Sequence, residues 1–233
     1  MLELNVNKCS VLHIGRDNLR FGYQLGNSIL SVRDSVPDLG ILVDSRLTFQ
    51  PHIFALVTRA RSRCAVFLKS FVSRDKSIMR TFFVHYVRPI LEYGSVVWSP
   101  ISEPAIARLE GVQRWFTKKI RGCHLLSYPS RLQFIGLQSL QSRRVIADII
   151  FIFKMLRGEV AIDIGPHLQL REPGITRGHQ SKIVQPKFRL SSSKRGLFAR
   201  SIKLWNELPA HLLASPSVHS FRFALTAYLK EGI

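Results

Sequence analysis

The chain has 233 residues, 46% hydrophobic and 21% charged, the balance of a globular protein with a core rather than of a disordered chain, and enough for one large domain or two small ones. Lys and Arg outnumber Asp and Glu by 34 to 15, a formal charge of +19 with a pI near 10.8; such a surplus favours a phosphate-bearing partner, nucleic acid ahead of membrane headgroups. Three cysteines (Cys9, Cys64, Cys123) without a CxxC pair argue against a disulfide framework and a zinc site. The first five residues lack a basic start and a long apolar run, and residues 145–153 are too short and interrupted by Asp148, so neither a signal peptide nor a membrane span is expected, and the protein reads as intracellular.

Residues 1–48 read as strands. Residues 8–15 are an apolar run ending at Gly15. Residues 23–25 and 29–32 flank Gly26-Asn27, which accepts the positive φ of a hairpin turn. Residues 39–43 follow Pro37-Asp38 as a third strand. Three short strands cannot bury both faces, so part of a larger sheet is expected, and Met1, almost on top of the first strand, suggests truncation.

From Phe49 the period becomes helical. Ile53, Leu56, Val57, Ala60, Cys64, Phe67, Leu68 and Phe71 form one apolar stripe with Arg59, Arg61 and Arg63 outside it; Cys64 on that stripe is a core residue rather than a reactive thiol. A second helix is predicted over residues 75–88, with Asp75 at its N-terminus, Ile78, Phe82, Phe83 and Tyr86 inward, and Pro89 ending or kinking it. A third, over 103–120, turns Ile106, Leu109, Val112 or Gln113, Phe116 and Ile120 inward and sets Arg114, Lys118 and Arg121 on another side at i, i+4 and i+7. A fourth, over 137–156, buries Ile146, Ile149, Ile150 and Phe153 and spaces Arg144 and Asp148 as an i,i+4 pair. Gly158, Gly165-Pro166, Pro173-Gly174, Gly178 and Pro186 break the pattern over 157–190, predicting a linker or long irregular loop. Two short helices follow, over 195–207 and 217–230, separated by Asn206-Glu207-Leu208-Pro209.

Few residues suggest catalysis. No two acidic residues are adjacent, so the paired Asp with which polymerases hold two metal ions is missing; Asp34, Asp38 and Asp44 read as turn formers and caps. Phosphate-loop, dinucleotide, nucleophile-elbow and HExxH patterns are absent. Cys123-His124 has nothing nearby to complete a metal site, and His52 and His85 read as structural. The positive signal is charge. Residues 1–50 hold five basic and five acidic side chains, residues 51–150 sixteen and five, residues 151–233 thirteen and five. Arg114, Lys118, Lys119 and Arg121, with Trp115 and Phe116 interleaved, offer phosphate contacts and stacking surfaces, although Phe116 suits the core. Arg59, Arg63, Arg143 and Arg144 complete the candidate nucleic-acid contacts, and Lys194-Arg195 adds charge.

Short motifs recur in order along the chain. They are Asn5-Val6-Asn7-Lys8-Cys9, Asp38-Leu39-Gly40-Ile41, Phe49-Gln50-Pro51-His52-Ile53, Val87-Arg88-Pro89-Ile90-Leu91-Glu92-Tyr93-Gly94, Trp98-Ser99-Pro100, Leu109-Glu110-Gly111-Val112-Gln113-Arg114, Tyr128-Pro129-Ser130-Arg131-Leu132 and Trp205-Asn206-Glu207-Leu208-Pro209. Together they resemble the region from the end of the palm onward in LINE-type (non-LTR, jockey-like) retrotransposon reverse transcriptases. The resemblance implies an α+β, mostly α fold: end of palm and primer-grip strands over 1–48, a helical thumb-like domain over 49–157, an irregular linker over 158–190, and a C-terminal helical segment over 191–233. It implies a parent RNA-directed DNA polymerase whose catalytic Asp pair lies upstream. Lys8 matches the palm-closing lysine of that family, and Leu39 and Gly40 match its primer grip. The expected partners are RNA and DNA, as an RNA–DNA hybrid, with no small-molecule substrate and no membrane, in the nucleus or a cytoplasmic ribonucleoprotein. No cofactor is expected in this chain, Mg belonging only to the complete enzyme, and the chain alone is expected to be catalytically inactive. The alternatives are a stand-alone nucleic-acid-binding or protein-interaction module derived from a mobile element, or a non-functional remnant.

Overall fold

Polar side chains decide the local structure at the N-terminus. In the computed structural model, which describes residues 5–15, 17–162, 169–171, 179–186 and 193–231, the Asn5 side chain accepts from the Asn7 amide at 3.1 Å and bends Val6–Lys8 into a 3-10 turn. This local bond competes with strand pairing. The strand expected over 8–15 is therefore confined to β1, Ser10–Val11, which pairs in parallel with β4, Ser31–Val32. Between them β2 (Gln24–Leu25) and β3 (Ser28–Ile29) form the expected hairpin, with Gly26 at φ 60 in the first turn position.

A second hairpin corrects the sequence reading. β5 (Ser35–Asp38) and β6 (Ile41–Asp44) pair with Asp38 opposite Ile41, so Pro37-Asp38 lies within a strand, while Leu39 and Gly40, at φ 45 and 84, make the turn. The Ser45 amide donates to the Asp34 carbonyl at 2.9 Å, which sets the alternation of bonded and non-bonded pairs. Pro37, opposite Leu42, falls at a non-bonded pair, where its missing N–H leaves no gap. For the same reason the Leu42 N–H points away from β5, and Nδ1 of His52 accepts it at 3.2 Å.

Asp44 joins this ribbon to the helical body. Its carboxylate accepts from the amides of Arg46 and Thr48, each at 3.1 Å, and of Phe49 at 2.6 Å, which holds Leu47 and Phe49 at positive φ and starts α1, Gln50–Ser70. The predicted stripe is buried from Ile53 to Phe67, whereas Phe71 is exposed. Burial pushes the Cys64 thiol up to about 12, so it is inert.

The second helix differs from expectation in its buried face. The Asp75 carboxylate caps α2, Lys76–Phe82, accepting from the Ser77 amide at 2.8 Å. Met79, Phe83, Val87 and Leu91 are fully buried, while Ile78 and Tyr86, expected inward, are exposed. A spacing of four drifts by about 40° per step on an α-helix. The π turn at Phe83–Val87 takes up that drift, and α3, Arg88–Glu92, runs on through Pro89, whose missing amide falls where the helix changes type. A short α4, Ser95–Trp98, follows.

α5 spans Glu103–Thr117, three residues short of the prediction, with all the expected inward side chains buried. α6, Tyr128–Ile135, was not predicted; Ser127 caps it and Gly136 at φ 74 ends it. α7, Leu140–Leu156, starts at its Ser139 cap rather than at Leu137. One core cluster joins β6, α1 to α6 and Leu140. The other joins the rest of α7 to Ile183 and to α8 (Leu197–Glu207), α9 (Ala210–Leu213) and α10 (Val218–Glu231). α7 is thus buried on several faces, the signature of a helix shared between cores.

Within the segment expected to be a linker, Gly165-Pro166, Pro173-Gly174 and Gly178 lie outside the described residues. The described parts are docked: Leu170 bridges Ile183, the Trp205 indole donates to the Ser181 carbonyl at 2.9 Å, and the Asn206 amide bonds both backbone groups of Ile183, at 2.8 and 2.9 Å. No described helix is long and apolar enough to cross a membrane.

Candidate nucleic-acid interface

The end of α5 presents the basic residues. After Thr117 the chain runs through successive short turns, with the Lys119 amide on the Phe116 carbonyl at 3.0 Å and the Cys123 amide on the Ile120 carbonyl at 3.0 Å. Ile120 and Cys123 are buried anchors, so the residues between and before them are forced outward. Lys118, Lys119 and Arg121 are all exposed. They therefore do not share a helix face with Arg114 at i, i+4 and i+7, as expected; α5 has already ended. The Arg121 amide instead donates to the Arg74 carbonyl at 2.9 Å, which brings the α1–α2 connection alongside.

Arg74, Trp115, Lys118, Lys119, Arg121 and His124 surround an open depression of about 800 Å³. No acidic side chain among the described residues lines it. Trp115 presents 37% of its surface, which leaves an aromatic face beside the cations, whereas Phe116 is wholly buried. Arg74 is partly committed, its guanidinium donating to the Leu68 carbonyl at 2.9 Å, where a cation suits a helix C-terminus. Arg114 turns aside and lies over the Tyr128 ring at 4.9 Å.

Arg131, which the charge count passed over, builds this loop. It is 5% exposed and donates to the carbonyls of Leu126 at 2.7 Å and Arg114 at 3.2 Å and to the Thr117 hydroxyl at 3.3 Å. It thereby satisfies acceptors at the C-terminal end of α5. Arg74 had no local sequence signal, and Arg131 stood out only as part of the motif over 128–132, because each acts across a long-range contact.

The other candidates are dispersed. Arg59 and Arg63 are exposed on α1, outside the depression. Arg143, partly exposed, forms a bidentate ion pair with Glu92, Nη2 to Oε2 at 2.9 Å, and Arg144 is only 2% exposed, so of the two neighbours expected at the surface Arg144 faces inward. The expected Arg144–Asp148 pair is also replaced: Asp148 takes Arg200, at 2.7 and 2.9 Å, and Arg144 makes no hydrogen bond to it. Arg195 donates to the carbonyls of Arg46 and Leu47, at 2.7 and 3.2 Å. Lys8 is exposed in the first 3-10 turn. Leu39 is 86% exposed at the tip of the β5–β6 turn, its carbonyl held by the Tyr93 hydroxyl at 3.0 Å, and Gly40 packs against the Tyr93 ring.

No group of three or more His, Cys, Asp or Glu among the described residues could hold a metal ion. Asp44 is occupied by its turn, Cys123 is buried, and burial raises its thiol pKa.

Comparisons with known proteins give a partial likeness. The chain is 30% identical over 129 residues to an uncharacterised protein of Caenorhabditis elegans, covering 54% of this chain and 65% of that protein. It is 32% identical over 88 residues to the probable RNA-directed DNA polymerase from transposon X-element of Drosophila melanogaster, covering 36% of this chain and 10% of that protein. It is 30% identical over 104 residues to the corresponding polymerase from transposon BS of the same fly, covering 43% and 11%. The chain thus spans less than two thirds of the worm protein and about a tenth of each polymerase. No family model matches, and no solved structure matches. The chain is distantly and partially similar to retrotransposon RNA-directed DNA polymerases.

Proposed function

We propose that this chain is the part of a non-LTR retrotransposon reverse transcriptase that follows its catalytic centre, and that it grips the backbone of a template–primer duplex without itself polymerising. The observation that carries the reading is the acid-free depression at the end of α5, where Arg74, Lys118, Lys119 and Arg121 converge around Trp115. Converging cations displace the counterions of phosphates, and one exposed aromatic face adds stacking that tolerates any base. Residues 49–157 then act as the thumb of a jockey-like element. The exposed Leu39 tip is the primer grip, a bulky residue held at positive φ where a contact can justify the strain. Mg and the paired Asp belong to the remainder of the enzyme.

The test is the affinity of the purified chain for an RNA–DNA hybrid across a salt series. A log–log slope of roughly −3, for about four phosphate contacts, supports the reading. Absence of binding by the folded chain at low salt removes it.

A further inference from the structure

α7 carries a charge into the interior without giving it a partner. Arg144 is 2% exposed, and neither Nη1 nor Nη2 has a hydrogen-bond partner among the described residues. Burial works against its charge, and the carboxylates of Glu110, Glu92 and Asp148 are near enough to favour it, but all three are engaged elsewhere. Glu92 is held by Arg143 and lies 3.8 Å from Arg88. Glu110 takes the Tyr128 hydroxyl and the amides of Leu140 at 3.1 Å and Gln141 at 3.2 Å. Asp148 takes Arg200. A guanidinium does not deprotonate in a protein, so this one is not relieved by losing its proton; it needs acceptors.

Arg144 lines two small cavities, of about 250 and 260 Å³. In the first, between α3, α4, α7 and α10, Arg143 and Arg222 join it, and Glu92 is the one carboxylate among its described lining residues. The second has Arg200 with Asp148 and Glu103 on its wall, so its charges are closer to balance. The first cavity is smaller than the roughly 300–1,000 Å³ that encloses a drug-sized ligand. It combines, on one wall, a buried arginine whose two terminal nitrogens lack partners, a surplus of positive charge among its described lining residues and room for a small ion. Water would satisfy the donors but leave the surplus; an oxyanion answers both, because guanidinium and phosphate or sulfate match in bidentate geometry.

We propose that this cavity is a site for a phosphate-type oxyanion, with Arg144 as its buried anchor and Arg222 closing it from α10. The site is separate from the depression at the end of α5 and does not depend on nucleic-acid binding there. The phosphate has two sources, the free ion or the terminal phosphate of a nucleic-acid strand.

The experiment is thermal unfolding of the whole chain in potassium phosphate against potassium chloride at matched ionic strength, with titration calorimetry of phosphate. The expected result is a saturable stabilisation by phosphate. Arg144→Met should weaken phosphate binding at least about tenfold, and Arg222→Ala, at an exposed position, about threefold or more, as expected for lost charge-assisted bonds. Lys118→Ala with Arg121→Ala should leave the phosphate response unchanged. If Arg144→Met fails to fold, Arg222→Ala decides. Stronger competition by a 5′-phosphorylated dinucleotide than by its 5′-hydroxyl form assigns the strand terminus as source; equal, negligible competition assigns the free ion. A response no greater than that to chloride, or one that survives both variants, overturns the proposal and leaves water as the occupant.

Discussion

The basic end of α5 and the basic interior around α7 use the same residue types for opposite purposes. At the end of α5, Lys118, Lys119 and Arg121 stand in solvent with no carboxylate among the described lining residues. Around α7 the largely buried Arg200 is answered by Asp148 and the partly exposed Arg143 by Glu92, while at the end of α5 the buried Arg131 is answered by carbonyls and a hydroxyl. A count of +19 treats these alike. Placement separates them: buried cations are structural when they meet fixed acceptors, and exposed ones are available to a partner.

The sharpest way to break this comparison is to unpair the interior. The Arg200 and Asp148 side chains are 10% and 4% exposed, so Arg200→Ala leaves a buried carboxylate without its cation and should cost about 3–5 kcal/mol. It also frees the Val96 and Arg195 carbonyls that Arg200 holds at 2.6 and 2.9 Å. Urea unfolding measures the change. Arg200→Met combined with Asp148→Leu should recover most of it, because two apolar groups replace a buried pair with little penalty. A single-variant loss below about 1 kcal/mol would place this pair with surface ion pairs and erase the distinction.

Arg131 is a buried cation at the end of α5. Arg131→Met should cost about 2–3 kcal/mol by removing charge-assisted bonds to the end of α5. It should also lower hybrid affinity, because the loop carrying Lys118 to Arg121 loses its support. Lost stability with unchanged affinity would mean that Ile120 and Cys123 alone hold the loop.

Lys118→Ala with Arg121→Ala should do the reverse. Stability should change by less than about 0.5 kcal/mol, as for surface substitutions, while the salt slope of hybrid binding becomes shallower by about 2. An unchanged slope in the folded double variant would move the contact away from this depression.

How much of this was legible follows from how local each determinant is. The stripe from Ile53 to Phe67 and the inward face of α5 were readable because helical period and burial coincide over many residues. The buried line Met79, Phe83, Val87 and Leu91 was not, since its spacing of four needs the π turn. The β5–β6 turn was placed two residues early because Pro37-Asp38 carries a stronger turn signal than Leu39, a residue that seldom takes positive φ. At the candidate site, the chain neighbours Lys118, Lys119 and Arg121 could be named. Arg74 could not, since its carbonyl meets Arg121 only through folding, and adjacency alone gave no sign that Arg144 turns inward while Arg143 pairs with Glu92.

The smallest effect tests the rule for interior cations through a group that can lose its proton. His52 is 3% exposed. Burial lowers its pKa, and Arg59 lowers it further. No carboxylate among the described residues pairs with it, and its Nδ1 must stay unprotonated to accept the Leu42 N–H. With the folded pKa below the unfolded value, the unfolded state binds the extra proton first, so stability is complete above the ordinary value of about 6.5 and is lost as the pH falls below it. His179, whose pKa burial also lowers, contributes in the same direction. His52→Asn keeps an acceptor near Nδ1 without a titrating group, so it should flatten part of the fall in melting temperature between pH 7.5 and 5.5 at little change above pH 7. A variant with the full wild-type slope would mean that His52 contributes nothing to the pH dependence and would assign it to His179.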